Sequence, residues 1–347
     1  MPNHDVIVIG GSAGGVEALA ALAAGLPADL PAAVCAVIHH PAYMPSRLPA
    51  VLGRAGPLPA VAAADGMPLR PGVIHVAVPD QHLLVEASGR RDGHGVIRLT
   101  RGPRENRSRP AVDPLFRSAA LAYGPRVIGV VLSGALDDGT AGLWEVRDRG
   151  GLAVVQDPAD CALAAMPASA LAQVGADHVA TAREMGALLG RLALLPAPPA
   201  LRLDAELERE AAIAAMDEEA HRREARYGVP SRFPCPDCGG VLWDTSLRGG
   251  PLRFRCETGH AYGPATLAEG QAESVEAALW ASLRALEDQT ELARVRQERA
   301  LLFGHARYAE QLAGQMDTAQ EHAAALRAVL RLRQRPAHEM ANAPAAD

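Results

Sequence analysis

The hydrophobic positions near the start of the chain run without a break, Val6-Ile7-Val8-Ile9, and then give way to Gly10-Gly11-Ser12-Ala13-Gly14-Gly15. A short β-branched run of this kind predicts a strand covered on both faces, and Val16-Glu17-Ala18-Leu19-Ala20 behind it opens a helix. The pattern recurs along the chain. Ala32 to Ile38, Val127 to Leu132, Leu152 to Gln156 and His178 to Val179 read as further strands. Helical spacing runs over Ser46 to Leu52, Ala111 to Tyr123, Thr140 to Arg149, Met166 to Gln173 and Arg183 to Leu192. Such alternation predicts a doubly wound α/β domain, with a mostly parallel sheet and helices on both faces. Four shorter runs, Leu58–Ala62, Gly72–Ala77, His82–Glu86 and Val96–Leu99, are expected to be β-hairpins inserted on one side of the sheet.

Pro196-Ala197-Pro198-Pro199 closes that domain, which is expected to occupy residues 1–195. A linker with a charged, alanine-rich helix from Asp204 to Tyr227 fills 196–230. A small module over 231–264 carries two short strands, near Val241–Trp243 and Leu252–Arg255. Ala265 to Phe303 and Tyr308 to Leu332 then predict a helical hairpin over 265–335, turning at Gly304, with a disordered tail at 336–347. The stripe Ala278, Leu279, Leu283, Leu286 and Leu292 either packs on the partner helix or offers a self-association surface.

A length of 347 residues suits more than one domain, and 49% hydrophobic content supplies a sizeable core. No apolar run is long enough to span a bilayer, so membrane insertion is not expected. The start enters a strand with no basic region and apolar signal segment, which predicts a cytoplasmic location. The net charge of −6 argues against broad nucleic-acid binding. The chain contains no lysine, which excludes a Walker A loop and lysine catalysis.

The first turn is where chemistry concentrates. Gly10-x-Ser12-x-Gly14 fits a nucleophile elbow, with a hydroxyl on a tight strand-to-helix turn. The helix behind it would aim the amides of Ala13 and Gly14 at an anion formed beside that hydroxyl. A dinucleotide fingerprint fails, because Ser12 replaces its middle glycine and the second strand ends in His39-His40 rather than an acid. On the loop alone, a plain phosphate-binding or structural glycine turn stays open. Three strand ends, however, carry Ser12, His39 and Asp138, the parts of a hydrolytic triad. The serine needs an imidazole to take its proton, and the acid fixes the tautomer of that imidazole.

Five cysteines are present. Cys35 and Cys161 sit in apolar or small-residue surroundings and read as inert. Cys235-x2-Cys238-x17-Cys256-x3-His260 instead has the spacing of a structural zinc ribbon, in which four protein ligands leave no position for water. A ribbon without its metal, or a redox-sensitive thiol pair, is the alternative.

Five stretches, Ile9–Gly15, Val37–Pro41, Ala64–Gly66, Gly102–Asp113 and Leu132–Gly139, resemble in order the catalytic domain of the chemotaxis protein-glutamate methylesterase family, over residues 5 to about 192. The resemblance implies a doubly wound fold, a Ser12–His39–Asp138 triad and no catalytic cofactor. It implies hydrolysis of glutamate methyl esters on methylated chemoreceptors, with deamidation of receptor glutamines in some members. The chain also departs from the family. His40 beside His39 is a competing base, and Asp137 competes with Asp138. Leu136 replaces a glycine next to Ala135, whose amide is expected to help complete the oxyanion site. Arg107 and Arg109 of the Asn106–Pro110 loop either recognise receptor carboxylates or brace the loop. The receiver domain of the best-known members is expected to be missing, and phosphodonor control with it. Ribbon and helices resemble an accessory module of receiver-less members, and are expected to be separable from ester hydrolysis. A catalytically inactive scaffold that binds partners through that module is the competing reading.

Overall fold

The uninterrupted apolar runs become the middle of the sheet. The computed structural model describes residues 2–87, 95–200, 205–217, 228–246 and 249–333. In it β1 (Val6–Gly11) lies between β2 (Ala33–Ile38) and β7 (Val127–Val131), and every residue of the three is buried. With β3 (Ala60–Ala62), β4 (Ile74–Val76), β8 (Leu152–Gln156) and β9 (His178–Ala180) they form a parallel sheet in the order β3-β4-β2-β1-β7-β8-β9. Side chains alternate across it. Ile7 and Ile9 meet α1 (Gly15–Ala24), α2 (Leu48–Ala55) and α6 (Ala182–Leu192). Val6 and Val8 join the core under α3 (Val112–Tyr123), α4 (Thr140–Asp148) and α5 (Ala165–Gln173).

Two of the four expected hairpin segments behave differently. β3 and β4 are parallel members of the main sheet, with Val34 of β2 beside Ile74 and Ala60 beside Ile74 on the other edge. Burial decides this: Ile74 and Val76 are apolar enough to be covered next to β2, whereas a hairpin flap would leave one face wet. Of the four, β5 (His82–Glu86) and β6 (Val96–Thr100) do pair as an antiparallel hairpin, and their expected Gly-rich turn lies outside the described residues.

Past α6, α7 (Ala205–Ala214) is the described part of the expected charged helix; Asp204 and residues 218–227 lie outside the described residues. A four-stranded antiparallel ribbon follows, built from β10 (Val229–Pro234), β11 (Val241–Asp244), β12 (Phe254–Cys256) and β13 (Ala261–Tyr262). The chain forms two compact units, one through Ala268 and a second from Glu269 onward. α8 (Pro264–Leu302) begins in the first unit, and with α9 (Ala306–Arg333) it makes the second, around Leu283, Ala323 and Leu330. The expected tail at 336–347 lies outside the described residues. No helix among the described residues is long and apolar enough to cross a membrane.

Within the first unit the ribbon is tied to the sheet domain by buried ions. Arg117 of α3 donates to both oxygens of Glu105, at 3.2 and 3.1 Å. Arg253 and Arg255 of the ribbon reach the same carboxylate at 2.6 and 2.9 Å, and Arg255 also holds Glu210 of α7 at 2.6 Å. Burial alone would raise Glu105, but the three guanidinium groups hold it well below the usual carboxylate range. Nearby Glu145 lacks such company. Burial pushes it from 4.5 up to about 7, against the weaker pull of Arg117 and Arg253.

Two stability outcomes follow from these charges. Glu105→Ala takes from buried Arg117 its carboxylate partner and leaves Arg253 and Arg255 to share Glu210, and should cost about 3–5 kcal/mol in chemical denaturation; a loss under about 1 kcal/mol would show the cluster to be idle. Glu145 has a folded value above its unfolded one, so its contribution is fully present below 4.5 and is lost as pH rises through about 7. Glu145→Gln should therefore gain on the parent across that window, by roughly 1–3 kcal/mol at its upper end. A pH-independent difference would contradict this.

Candidate active site

Strand register brings the candidate residues together. Gly11 pairs with Ile38, so Ser12 and His39 leave adjacent strands side by side, and the His39 amide donates to the Gly11 carbonyl at 3.1 Å. On the other side of β1, the Ser12 amide donates to the Ser133 carbonyl at 2.9 Å. All three segments emerge at the carboxyl ends of parallel strands, where open α/β sheets place their ligands.

The elbow is held from beneath. Gly14, left-handed at φ 75°, stands at the start of α1, and the Gly15 amide closes the turn on the Ser12 carbonyl at 2.8 Å. Buried Ser133 donates its hydroxyl proton to the Ala13 carbonyl at 2.8 Å or to that of Leu163 at 3.2 Å, and accepts from the Leu163 amide at 3.0 Å. Gly134 has no room for a side chain. A Cβ there would overlap Met166 Sδ and come within 3.0 Å of Ser12 Cβ. Ala13 and Ala135 are both exposed, and among the described residues neither amide has an acceptor. Between Ala135 and Asp137, Leu136 adopts φ 64°, the left-handed conformation that costs a leucine roughly 1–2 kcal/mol and a glycine almost nothing.

His39 Nε2 donates to Asp138 Oδ2 at 2.7 Å, a contact that does not engage Nδ1. Asp138 is only 2% exposed. Besides His39 it accepts from the amides of Val112 at 2.7 Å, Asp113 at 3.2 Å and Gly139 at 2.9 Å, and from the Asn106 side chain at 2.8 Å. Two of those amides are the unpaired first N–H groups of α3, so the acid sits where a helix end favours negative charge. Burial would raise Asp138, but His39, these amides and Asn106 together hold it below its ordinary value. Its neighbour Asp113 moves the other way: burial, then the Asp138 charge, push it up to about 7. Of the two close carboxyls, Asp138 keeps the charge.

The competitors lie elsewhere. His40 donates Nδ1–H to the Pro41 carbonyl at 3.0 Å, a local contact away from Asp138. Asp137 accepts from the Ala265 amide at 2.8 Å, the Thr266 amide at 3.2 Å and the Thr266 hydroxyl, capping the start of α8. Arg109 donates to Asp80 at 2.7 Å and to the Gly102 carbonyl at 2.9 Å, contacts that brace the loop. Arg107, at φ 62°, lies in the same loop. An apolar cleft of about 620 Å³ opens beside His39, between Val16, Met44, Leu48 and Val51.

Neither motif nor spacing singled out Ser133, Asn106 or the amides of α3. Asn106 belongs to the family-like stretch Gly102–Asp113, but only its position beneath Asp138 shows what its carboxamide does.

In the ribbon, the Sγ atoms of Cys235, Cys238 and Cys256 and the ring nitrogen of His260 all lie within 4.8 Å of one another. Cys238 to Cys256 is 3.7 Å, Cys256 to His260 is 3.5 Å and Cys235 to His260 is 3.8 Å. Tetrahedral zinc with ordinary Zn–S and Zn–N bonds requires ligand–ligand edges of about 3.5–3.8 Å. The donor set fits that ion. The two remaining cysteines belong to no such cluster among the described residues, and burial raises Cys35 to about 12 and Cys161 to about 11.

Comparison with known proteins places residues 7–189 on a family model described as CheB methylesterase. Protein-glutamate methylesterase/protein-glutamine glutaminase 3 of Anaeromyxobacter dehalogenans is 42% identical over 179 residues, which is 52% of this chain and 51% of that protein. A putative protein-glutamate methylesterase/protein-glutamine glutaminase of Leptospira interrogans is 34% identical over 190 residues, 55% of this chain and 95% of its own length. The match thus spans about half of some relatives and nearly all of others. The crystal structure of the Thermotoga maritima CheB methylesterase catalytic domain is similar at 32% identity and a TM-score of 0.52, covering 54% of this chain and 98% of that one.

The packing at Gly134 can be tested directly. Gly134→Ala should destabilise the protein by about 1–3 kcal/mol through overpacking, and adding Met166→Ala should recover part of that loss. A single variant as stable as the parent, measured by denaturant midpoint, would show that the elbow is not closely supported there.

Proposed function

Because the chain belongs to the CheB methylesterase family, we propose that it is a serine hydrolase that removes methyl groups from glutamate side chains of a chemoreceptor-type protein. The observation that carries this reading is the pairing of His39 with a buried, ionised Asp138 beside Ser12. Ser12 attacks the ester carbonyl while His39 Nδ1 takes its proton, and Asp138 holds the ring through Nε2. The exposed amides of Ala13 and Ala135 receive the negative oxygen of the tetrahedral intermediate. His39 then gives the proton to the departing methoxide, releasing methanol. Water, activated by the same ring, hydrolyses the acyl-enzyme to glutamate and frees Ser12. The glutaminase in the relatives' names fits the same cycle with ammonia as the leaving group, and glutamine side chains are included as substrates.

The ribbon, in this reading, holds one structural zinc ion through Cys235, Cys238, Cys256 and His260. Four protein ligands leave it no position for substrate, so it supplies folding energy and no chemistry.

Methanol release from methylated receptor membranes tests the activity. Ser12→Ala, His39→Ala and Asp138→Ala should each lower turnover by several orders of magnitude, without adding in combination. His40→Ala should be mild. Full activity in Ser12→Ala, or loss in His40→Ala with His39→Ala spared, would overturn the assignment and favour a scaffold or a different base. Metal analysis should find one zinc per chain, lost on Cys256→Ser; a metal-free protein would refute the ribbon site.

A further inference from the structure

Asn106 is the point at which the ribbon meets the triad acid. Its Nδ2 donates one N–H to Asp138 Oδ1 and the other to Asp113 Oδ2, both at 2.8 Å. Its Oδ1 accepts from the Gly263 amide at 2.8 Å, and its own amide donates to the Ala261 carbonyl at 2.7 Å. Only a carboxamide can do all of this with one side chain, since it must donate twice toward carboxylates and accept once from an N–H. An aspartate would place a third acid between two others; an alanine would leave Asp113 and Asp138 facing each other with no donor between them. The residue is 8% exposed and left-handed at φ 47°, a conformation that asparagine tolerates better than most.

Both partners on the far side belong to the end of the ribbon. Ala261 bridges Glu105 in parallel fashion and follows His260 directly, while the His260 carbonyl accepts from the Cys256 amide at 2.9 Å. Gly263 lies two residues further on, and a Cβ there would overlap the carboxylate of Asp137. Asp137 in turn holds the amides of Ala265 and Thr266 and precedes Asp138 in the chain. Asp138 is therefore flanked by Asn106 and Asp137, which touch residues 261–263 and the helix start that follows them.

We propose that Asn106 is a positioning residue for Asp138, and that the end of the ribbon, through Ala261 and Gly263, sets its orientation. The proposal rests on the reading of Ser12, His39 and Asp138 as a triad. It makes the ribbon a working part of the site rather than an appendage: when residues 261–263 shift, Asn106 loses the Gly263 amide and its fixed main chain, and Asp138 Oδ1 loses its one side-chain donor, keeping only the amides of Asp113 and Gly139. Loss of the ribbon's metal, by freeing the knuckle at His260, acts in the same direction as a substitution at Gly263.

The test uses the full chain with Asn106→Ala, Gly263→Val and chelator-treated parent. Two readouts are taken: kcat and KM on a small methyl ester, and the low-field proton NMR signal of His39 Nε2–H, identified by its absence in His39→Ala. Both variants should lower kcat about 10- to 100-fold, the loss of one or two charge-assisted hydrogen bonds, with KM within about twofold. Each should also shift or broaden the His39 signal while circular dichroism stays that of the parent. Chelation should change the signal likewise, and zinc should restore it. If Gly263→Val does not fold, Gly263→Ala and the chelated parent carry the same measurement. An unchanged signal and kcat in Asn106→Ala would overturn the positioning role; an unchanged signal in Gly263→Val and in metal-free protein would overturn the ribbon's part. Hydrolysis that survives Ser12→Ala would instead defeat the proposed function, and the NMR signal would still report on the coupling.

Discussion

A buried negative charge has to be solvated by the protein itself, and Asp138 is that charge here. Its carboxylate is withdrawn from water and is met by five donors: His39, Asn106, and the amides of Val112, Asp113 and Gly139. Taken out of water unpaired, such an ion would take up a proton instead. Much of the surrounding architecture follows from avoiding that outcome. α3 begins where its first amides point at Asp138, and burial together with the Asp138 charge pushes Asp113 upward rather than Asp138. A neutral acid in that position would neither fix the ring of His39 nor balance an imidazolium.

The same demand, repeated at Glu105, joins distant parts of the chain. Glu105 and Arg117 belong to the sheet domain, Glu210 to α7, and Arg253 and Arg255 to the ribbon. A buried ion pair adds little net stability over an apolar contact, but losing one partner is expensive, so such a cluster penalises every wrong arrangement. It holds the ribbon close enough for Ala261 and Gly263 to reach Asn106. Asp137 extends the contact by capping α8. Charge satisfaction at Asp138 and docking of the ribbon are one structural problem with a shared solution.

The elbow obeys a different constraint, that of volume. Met166 fills the space a side chain at residue 134 would occupy, and Ser133 ties Ala13 to Leu163. Dense support of this kind fixes the backbone that carries the Ser12 hydroxyl.

Local periodicity determined much of this protein. The runs Val6–Ile9 and Val127–Val131 could only be buried strands, and the glycines around Ser12 could only be a turn, because those patterns depend on neighbours a few residues away. The spacing that gathers Cys235, Cys238, Cys256 and His260 was legible for the same reason, and so were the ends of the strands that carry Ser12, His39 and Asp138. Tertiary structure decided the rest. Residues 60–62 and 74–76 suit either a hairpin or a parallel edge, and only the covering of Ile74 and Val76 beside β2 chose between them. His39 and His40 are the same side chain one residue apart, just past the end of β2; one reaches Asp138 and the other a local carbonyl. Asp137 and Asp138 divide likewise, one to cap a helix 128 residues away and the other to hold an imidazole. Asn106 was visible only as part of a motif, since its partners at 113, 138 and 263 meet only in the folded chain. Spacing along a sequence reports what neighbours do to one another, whereas a buried charge is satisfied by whatever the fold brings to it, from any distance along the chain.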